Sequence, residues 1–291
     1  MEVISDQHLL PRQDFAVAWD AIKIDQVVRT RLVAQALLSF QLRQRYAFEI
    51  MPVHGLIVLS GPPGTGKTTL ARGLANEVAQ ALAPKKVQFL QVDPHALGSS
   101  SHGKSQKEVA KLFQQTIPEY ASTHPVIVLL DEVEALAADR QRMSLEANPI
   151  DAHRATDAAL AGIDLLSRTH RNTLLIATTN FPKAVDRALL SRADWIEDMG
   201  LPDATARQAI IADALEQLAK EWPRVADLKS QLAAFVRASD GIDGRRLRKA
   251  IVSAAASTIE TAKDLNKLRA EHVLATLKLA AANARIEEKA A

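Results

Sequence analysis

The stretch Gly61-Pro62-Pro63-Gly64-Thr65-Gly66-Lys67-Thr68-Thr69 decides the fold. From Gly61 to Thr68 it fits the phosphate-binding loop pattern, Gly-x-x-x-x-Gly-Lys-Ser/Thr, at every position. Glycines let the backbone curl so that successive N–H groups point inward at phosphate oxygens, and the helix that begins near Lys67 directs the positive end of its dipole at the same anion. An apolar run, Leu56 to Leu59, enters the loop, and a stretch rich in Ala and Leu leaves it. Lys67 is expected to reach the β- and γ-phosphates of ATP, and Thr68 to ligate Mg²⁺.

Outward from this loop, β-rich apolar runs recur at Leu56 to Leu59, Val87 to Val92, Val126 to Leu130, Thr173 to Ala177 and Trp195 to Leu201. The first four are separated by stretches of helical spacing, the alternation of a parallel sheet with helices on both faces. Val126 to Leu130 is apolar throughout, as a central strand buried on both sides must be. The fold class is therefore α/β, doubly wound. After Leu201-Pro202 the strand signals stop, and Ala204 to Lys220, Val225 to Ser239, Gly244 to Ala262 and Ala270 to Ile286 read as helices of a small lid domain. The expected division is an N-terminal segment 1–25, a large α/β domain 26–202 and a helical lid 203–291.

Asp131 and Glu132 emerge at the carboxyl end of the buried run, where ligands of α/β sheets sit. Asp131 is placed to hold Mg²⁺, and Glu132 to polarise the water that attacks the γ-phosphate. Asn180, which ends the next strand, can orient that water from the other side; the plainer alternative is a turn former. Arg192 lies just before the last strand and is a candidate arginine finger for a neighbouring subunit, with a surface pair to Asp194 or Asp186 as the alternative. Arg245 opens a lid helix that carries four cations, Arg245, Arg246, Arg248 and Lys249. It can reach the γ-phosphate of its own subunit, or belong to a solvated, acid-pairing face.

Composition narrows the classes. The 291 residues are 47% apolar and 24% charged, enough for a packed core rather than a disordered chain. A net charge of +2 and 4% aromatic residues do not favour nucleic acid as a direct ligand. With no cysteine, disulfides and thiolate metal sites are excluded, and no histidine pair has metal-ligand spacing on a helix. The amino terminus lacks a basic and an apolar signal region, so the expectation is a cytoplasmic protein without a membrane partner.

The ordered set of Gly61 to Thr69, Asp131-Glu132, Asn180, Arg192 and Arg245 resembles the AAA+ ATPase superfamily. Within it, the chain resembles the pachytene checkpoint protein 2 family, called thyroid receptor-interacting protein 13 in animals. The likeness runs from Leu10-Pro11 and Ala18-Trp19-Asp20 through Leu130 to Leu136, Ala161-Gly162-Ile163-Asp164, Ser191-Arg192-Ala193-Asp194 and Gly200-Leu201-Pro202 to Gly244-Arg245-Arg246-Leu247-Arg248-Lys249. The resemblance implies nucleotide contacts from Ile22, Pro63, Gly64, Thr65, Gly66, Lys67, Thr68, Thr69 and Asp131. It also implies a homo-oligomer, a hexamer, that grips the flexible end of a HORMA-domain protein and opens the closed HORMA form. Bacterial relatives look like regulators in cyclic-oligonucleotide antiphage operons. Two departures stand out. The likeness begins so early that no separate N-terminal substrate domain is expected, which leaves recruitment to the ring itself. The pore loop, expected within Leu97 to Lys104, offers Ser101 and His102 where relatives place aromatics. The competing readings are a nucleic-acid-handling AAA+ ATPase of helicase or clamp-loader type, and a nucleotide-gated scaffold without turnover.

Overall fold

A computed structural model describes residues 3–93, 96–97, 104–137 and 149–290. The expected pore-loop residues Ser101 and His102 lie outside them. The described chain forms two compact units: Met1–Gly61 with Lys67–Met199, and Pro62–Gly66 with Gly200–Ala291.

The first unit is built on six strands, β1 (Ile4–Leu10), β2 (Leu56–Ser60), β3 (Val87–Val92), β4 (Val126–Leu130), β5 (Thr173–Thr179) and β6 (Trp195–Asp198), in the order β1-β3-β4-β5-β2-β6. Five of them are parallel, and β1 pairs antiparallel with β3, from Leu10 opposite Val87 to Ile4 opposite Val92. Alternate residues of the central strands feed two separate cores. Leu56, Val58, Val126, Val128, Leu130, Leu175 and Ala177 face one, and Ile57, Leu59, Ile127, Leu129, Leu174 and Ile176 face the other. Burying one such side chain is worth roughly 1.5–3 kcal/mol, so a one-residue slip that exchanged the two sets would misplace every one of them.

Helices α1 (Gln13–Ala21), α2 (Gln26–Arg45) and α3 (Lys67–Ala81) cover the second core through Phe15, Trp19, Leu32, Leu70 and Leu74. At Gly73 a Cβ atom would lie 2.6 Å from the Cα of Trp19, so only glycine lets α1 approach α3 this closely. The first core is covered by α4 (Lys104–Lys111), a π-helical turn (Leu112–Thr116), α5 (Ile117–Ala121) and α6 (Pro149–Thr169). A short α7 (Arg187–Leu190) precedes β6.

The second unit holds α8 (Ala204–Ala219), α9 (Leu232–Ala238), α10 (Gly244–Ala254), α11 (Ile259–Lys263) and α12 (Ala270–Ala290) around Ile211, Leu215, Phe235, Leu247, Ile251 and Leu277. No described helix is long and apolar enough to cross a membrane.

The elements differ from expectation in four places. Ile4–Leu10, within the segment expected to lead into the domain, supplies the edge strand β1. The last strand ends at Asp198 rather than Leu201. The single helix expected over Val225 to Ser239 begins as a 3₁₀ helix, Pro223–Gln231. Its buried Val225 and Leu228 are spaced by one turn of three residues, which a 3₁₀ helix stacks on one face. The helix expected over Gly244 to Ala262 stops at Ala254, because Thr258 and Thr261 form a capping box that starts α11 afresh.

Candidate active site

The carboxyl ends of β2, β4 and β5 bring together the polar side chains that the sequence singles out. Beyond β2, Gly61 has φ 142°, and a Cβ there would lie 2.2 Å from the Met199 carbonyl oxygen, so the loop can leave the sheet only through glycine. Lys67, at the start of α3, is 6% exposed, and its Nζ donates to the Gly61 carbonyl at 2.7 Å. Burial of this ammonium at the mouth of the loop suits it to an anion. Next to it, Thr68 Oγ1 donates to Asp131 Oδ1 at 2.8 Å. Thr69 follows, half-buried, on α3.

Glu132 turns the chain out of β4 with φ 53° and ψ 54°. It is the one non-glycine residue with positive φ among the described residues, in a region that costs an L-residue about 1 kcal/mol or more. Surrounding bonds hold it there. The Ala135 N–H donates to its carbonyl at 2.9 Å, and Asn180 Nδ2 donates to its Oε1 at 3.1 Å. Asn180 is fixed in turn by Glu134, whose Oε1 accepts the Asn180 backbone N–H at 3.1 Å.

Two residues of this network escaped sequence reasoning. Thr178, 1% exposed, donates from Oγ1 to Asp131 Oδ1 and accepts the Glu132 N–H at 3.1 Å. In sequence it reads as an ordinary β-branched strand residue; the available signal was a hydroxyl two positions before Asn180 on the strand beside Asp131. Glu134 reads as a solvated acid, yet its carboxylate ties the end of β4 to the end of β5.

Other expected contacts lie on separate elements. Ile22, half-buried after α1, accepts at its carbonyl from Arg29, whose guanidinium also donates to the Trp19 carbonyl at 3.0 Å and lies 4.8 Å over the Trp19 ring. In the second unit, Gly64 and Gly66 take φ 82° and 92°, and Thr65 Oγ1 donates to the Pro62 carbonyl at 3.0 Å. The Gly64 carbonyl accepts from the Arg245 N–H at 3.2 Å, and the Arg245 side chain is exposed.

Residues 57–201 match the model of the ATPase family associated with various cellular activities (AAA). CD-NTase-associated protein 6 of Pseudomonas aeruginosa is 46% identical over 273 residues, covering 93% of this chain and 90% of that protein. The pachytene checkpoint protein 2 homolog of Rattus norvegicus is 30% identical over 85% of this chain, and the chain spans 63% of its length. The chain belongs to this AAA family, that of pachytene checkpoint protein 2. The fold is also that of a chain in the structure of the E. coli MS115-1 HORMA:CdnC:Trip13 complex, with a TM-score of 0.74 at 20% identity, covering 94% of both chains.

In this AAA chain the bidentate partner of Arg192 is neither Asp194 nor Asp186. Its Nε and Nη2 donate to the two carboxylate oxygens of Asp164 on α6 at 2.7 and 2.8 Å, and Nη1 donates to the Ala188 carbonyl at 2.8 Å. That fork-on-fork pair holds the Asp164 carboxyl below its usual range and raises the Arg192 guanidinium. Asp194 instead accepts the backbone N–H groups of His54, Gly55 and Leu56 at 2.9, 2.6 and 3.1 Å, pinning the entry to β2. Asp186 caps α7 through the Ala188 N–H at 2.7 Å. Below β5, the buried Arg43 donates to the carbonyls of Thr173, Leu166 and His170, and burial lowers it to about 10.

His54 packs edge-on against Phe48 at 4.9 Å, with its Nε2 3.6 Å from Asp164 Oδ1. Burial lowers its pKa below the ordinary 6.5; Asp194 and Asp164 oppose that shift, and Arg192 and Arg43 add to it. The unfolded chain therefore takes up a proton near pH 6.5 that the folded state resists, so stability is full above this pH and declines as pH falls through the lower folded value. Melting temperature measured from pH 7.5 to 5 should fall on the acid side, and His54→Asn should flatten the slope. An unchanged slope would remove His54 as its source.

Proposed function

We propose that this chain is a Mg-ATP-driven remodeller of a HORMA-domain protein, working as a cytoplasmic homo-oligomer, a hexamer, with residues 26–202 as ATPase and 203–291 as lid. The observation that carries the hydrolytic part is the pair of hydrogen bonds that aim both acids of β4: Thr68 to Asp131 at 2.8 Å and Asn180 to Glu132 at 3.1 Å. Thr68 and Asp131 offer oxygen donors only, the set that suits a hard divalent cation. When bound, magnesium neutralises phosphate charge and polarises the phosphoryl group that is transferred.

The chain's own groups then have distinct tasks. Backbone N–H groups from Gly64 to Thr69 cradle the phosphates, and the Lys67 ammonium leaves the Gly61 carbonyl for the β- and γ-phosphate oxygens. Ile22 contributes a further nucleotide contact. Glu132 accepts hydrogen bonding from the attacking water and polarises it, while Asn180 keeps the Glu132 carboxylate and that water in line. Arg192 of one subunit supplies charge to the γ-phosphate bound by the next, and Arg245 senses the same phosphate from the lid.

The remodelling part rests on the likeness to CD-NTase-associated protein 6 and to the chain in the HORMA:CdnC:Trip13 complex. Nucleic-acid handling has less support, because the cations of α10 are partly engaged: Arg246 by Asp243 and Glu287, and Arg248 by Asp213 at 3.0 Å. The test is to form a complex between a HORMA-domain protein encoded beside this chain and that protein's own partner, add the ATPase with Mg-ATP, and follow dissociation by size-exclusion chromatography. Wild-type protein is expected to dissociate it, and Glu132→Gln is not. A complex that survives active, ATP-hydrolysing wild-type protein would sink remodelling and leave the ATPase standing.

A further inference from the structure

The Thr178 hydroxyl has one proton to give and lone pairs to accept with. Asp131, as a carboxylate, can only accept, and the Glu132 N–H can only donate, so the direction of both bonds is settled: Thr178 Oγ1 gives its proton to Asp131 Oδ1 and receives the Glu132 N–H at 3.1 Å. A single side chain on β5 thus touches both acids of β4. It is 1% exposed, so no solvent competes for either bond. The bond to Glu132 falls on the residue whose backbone is held at φ 53°, and it anchors the amino side of that turn while the Ala135 N–H anchors the carbonyl side at 2.9 Å. Release of the N–H lets φ relax toward negative values and swings the Glu132 side chain away from Asn180.

We propose that Thr178 is a positioning residue for hydrolysis, its hydroxyl setting the left-handed turn of Glu132 and the orientation of Asp131 together. This rests on the reading that Asp131 and Glu132 act on Mg-ATP. Valine has the shape and strand preference of threonine but no hydroxyl, and serine keeps the hydroxyl, so the two substitutions separate the bonds from the packing.

The experiment measures steady-state ATPase kinetics, the Mg²⁺ concentration for half-maximal rate, and affinity for a fluorescent ATP analogue, in Thr178→Val, Thr178→Ser, Glu132→Gln and the double variant Thr178→Val/Glu132→Gln. Misplacing a reacting group by about 1 Å costs on the order of 100-fold. Thr178→Val is therefore expected to lose roughly 10- to 100-fold in kcat while KM and analogue affinity stay near wild type, to need more Mg²⁺, and to be restored by serine. Because Thr178 acts through Glu132, the double variant should be no slower than Glu132→Gln alone. Wild-type kcat in Thr178→Val beside an inactive Glu132→Gln would overturn the proposal. So would an equal loss in Thr178→Ser, or a loss of analogue affinity matching the loss of kcat, since either points to strand packing. Full turnover by Glu132→Gln would overturn the reading of the site, and the positioning role with it.

Discussion

Glu132→Gln is expected to bind ATP as the wild type does and to hydrolyse it at least about 10²- to 10⁴-fold more slowly, the range that general-base catalysis supplies. The substitution keeps the size of the side chain and an oxygen for the Asn180 amide, which donates at 3.1 Å in the wild type. What it removes is the negative charge that polarises water. Nucleotide affinity by fluorescence titration and turnover by phosphate release are the two measurements, and the split between them is the signature. Lys67→Ala should instead weaken ATP binding itself, because an ammonium that is 6% exposed and bonded to the Gly61 carbonyl is placed to meet phosphate. Steady-state hydrolysis by Glu132→Gln at the wild-type rate would end the assignment.

Arg192→Ala is expected to reduce turnover by about 10³-fold or more, the scale of an arginine finger, although its hydrogen bonds run to Asp164 and the Ala188 carbonyl. Its bidentate pair with Asp164 holds the guanidinium on its own subunit, and under the proposed function delivery to the next subunit would exchange one anion for another. Two results should accompany the loss. Activity per subunit should rise with protein concentration, and mixing Arg192→Ala with Glu132→Gln subunits should restore part of it, since some mixed interfaces combine an intact Glu132 with an intact Arg192. A mixture that recovers nothing, together with concentration-independent activity, would refute a shared site. Asp164→Asn, which keeps one acceptor but loses the charge, should lie between wild type and Arg192→Ala.

The sequence made the central sheet legible because its strands are buried on both faces and read as unbroken apolar runs; Val126 to Leu130 is the clearest case. It hid β1, where Ile4, Asp6 and His8 alternate with Ser5, Gln7 and Leu9 at a sheet edge and carry neither an apolar run nor a clean polar face. Lys67, Thr68, Asp131, Glu132 and Asn180 stand out in the sequence as candidate site residues since each follows a strand end in a fixed order along the chain. Their supports do not. Thr178, Glu134 and Asp164 act by meeting residues 46, 46 and 28 positions away, and no local pattern records such a meeting. The pairing of Arg192 shows the limit well: its sequence neighbours Asp186 and Asp194 were the natural candidates, and both carboxylates are taken by backbone N–H groups.

The antiparallel partner of β3 has a mechanical consequence. β3 precedes in sequence Leu97 to Lys104, the stretch expected to hold the pore loop, and it is hydrogen-bonded along both edges, to β1 and to β4. A strand bare on one side can peel from its single neighbour one bond at a time. A tug transmitted down β3 is instead resisted by two ladders sheared at once, with their bonds sharing the load. Under the proposed remodelling, Ile4–Leu10 would thus brace the strand that takes the recoil of each power stroke, and a variant that cannot form β1 should spend ATP in deforming its own sheet rather than in moving what it holds.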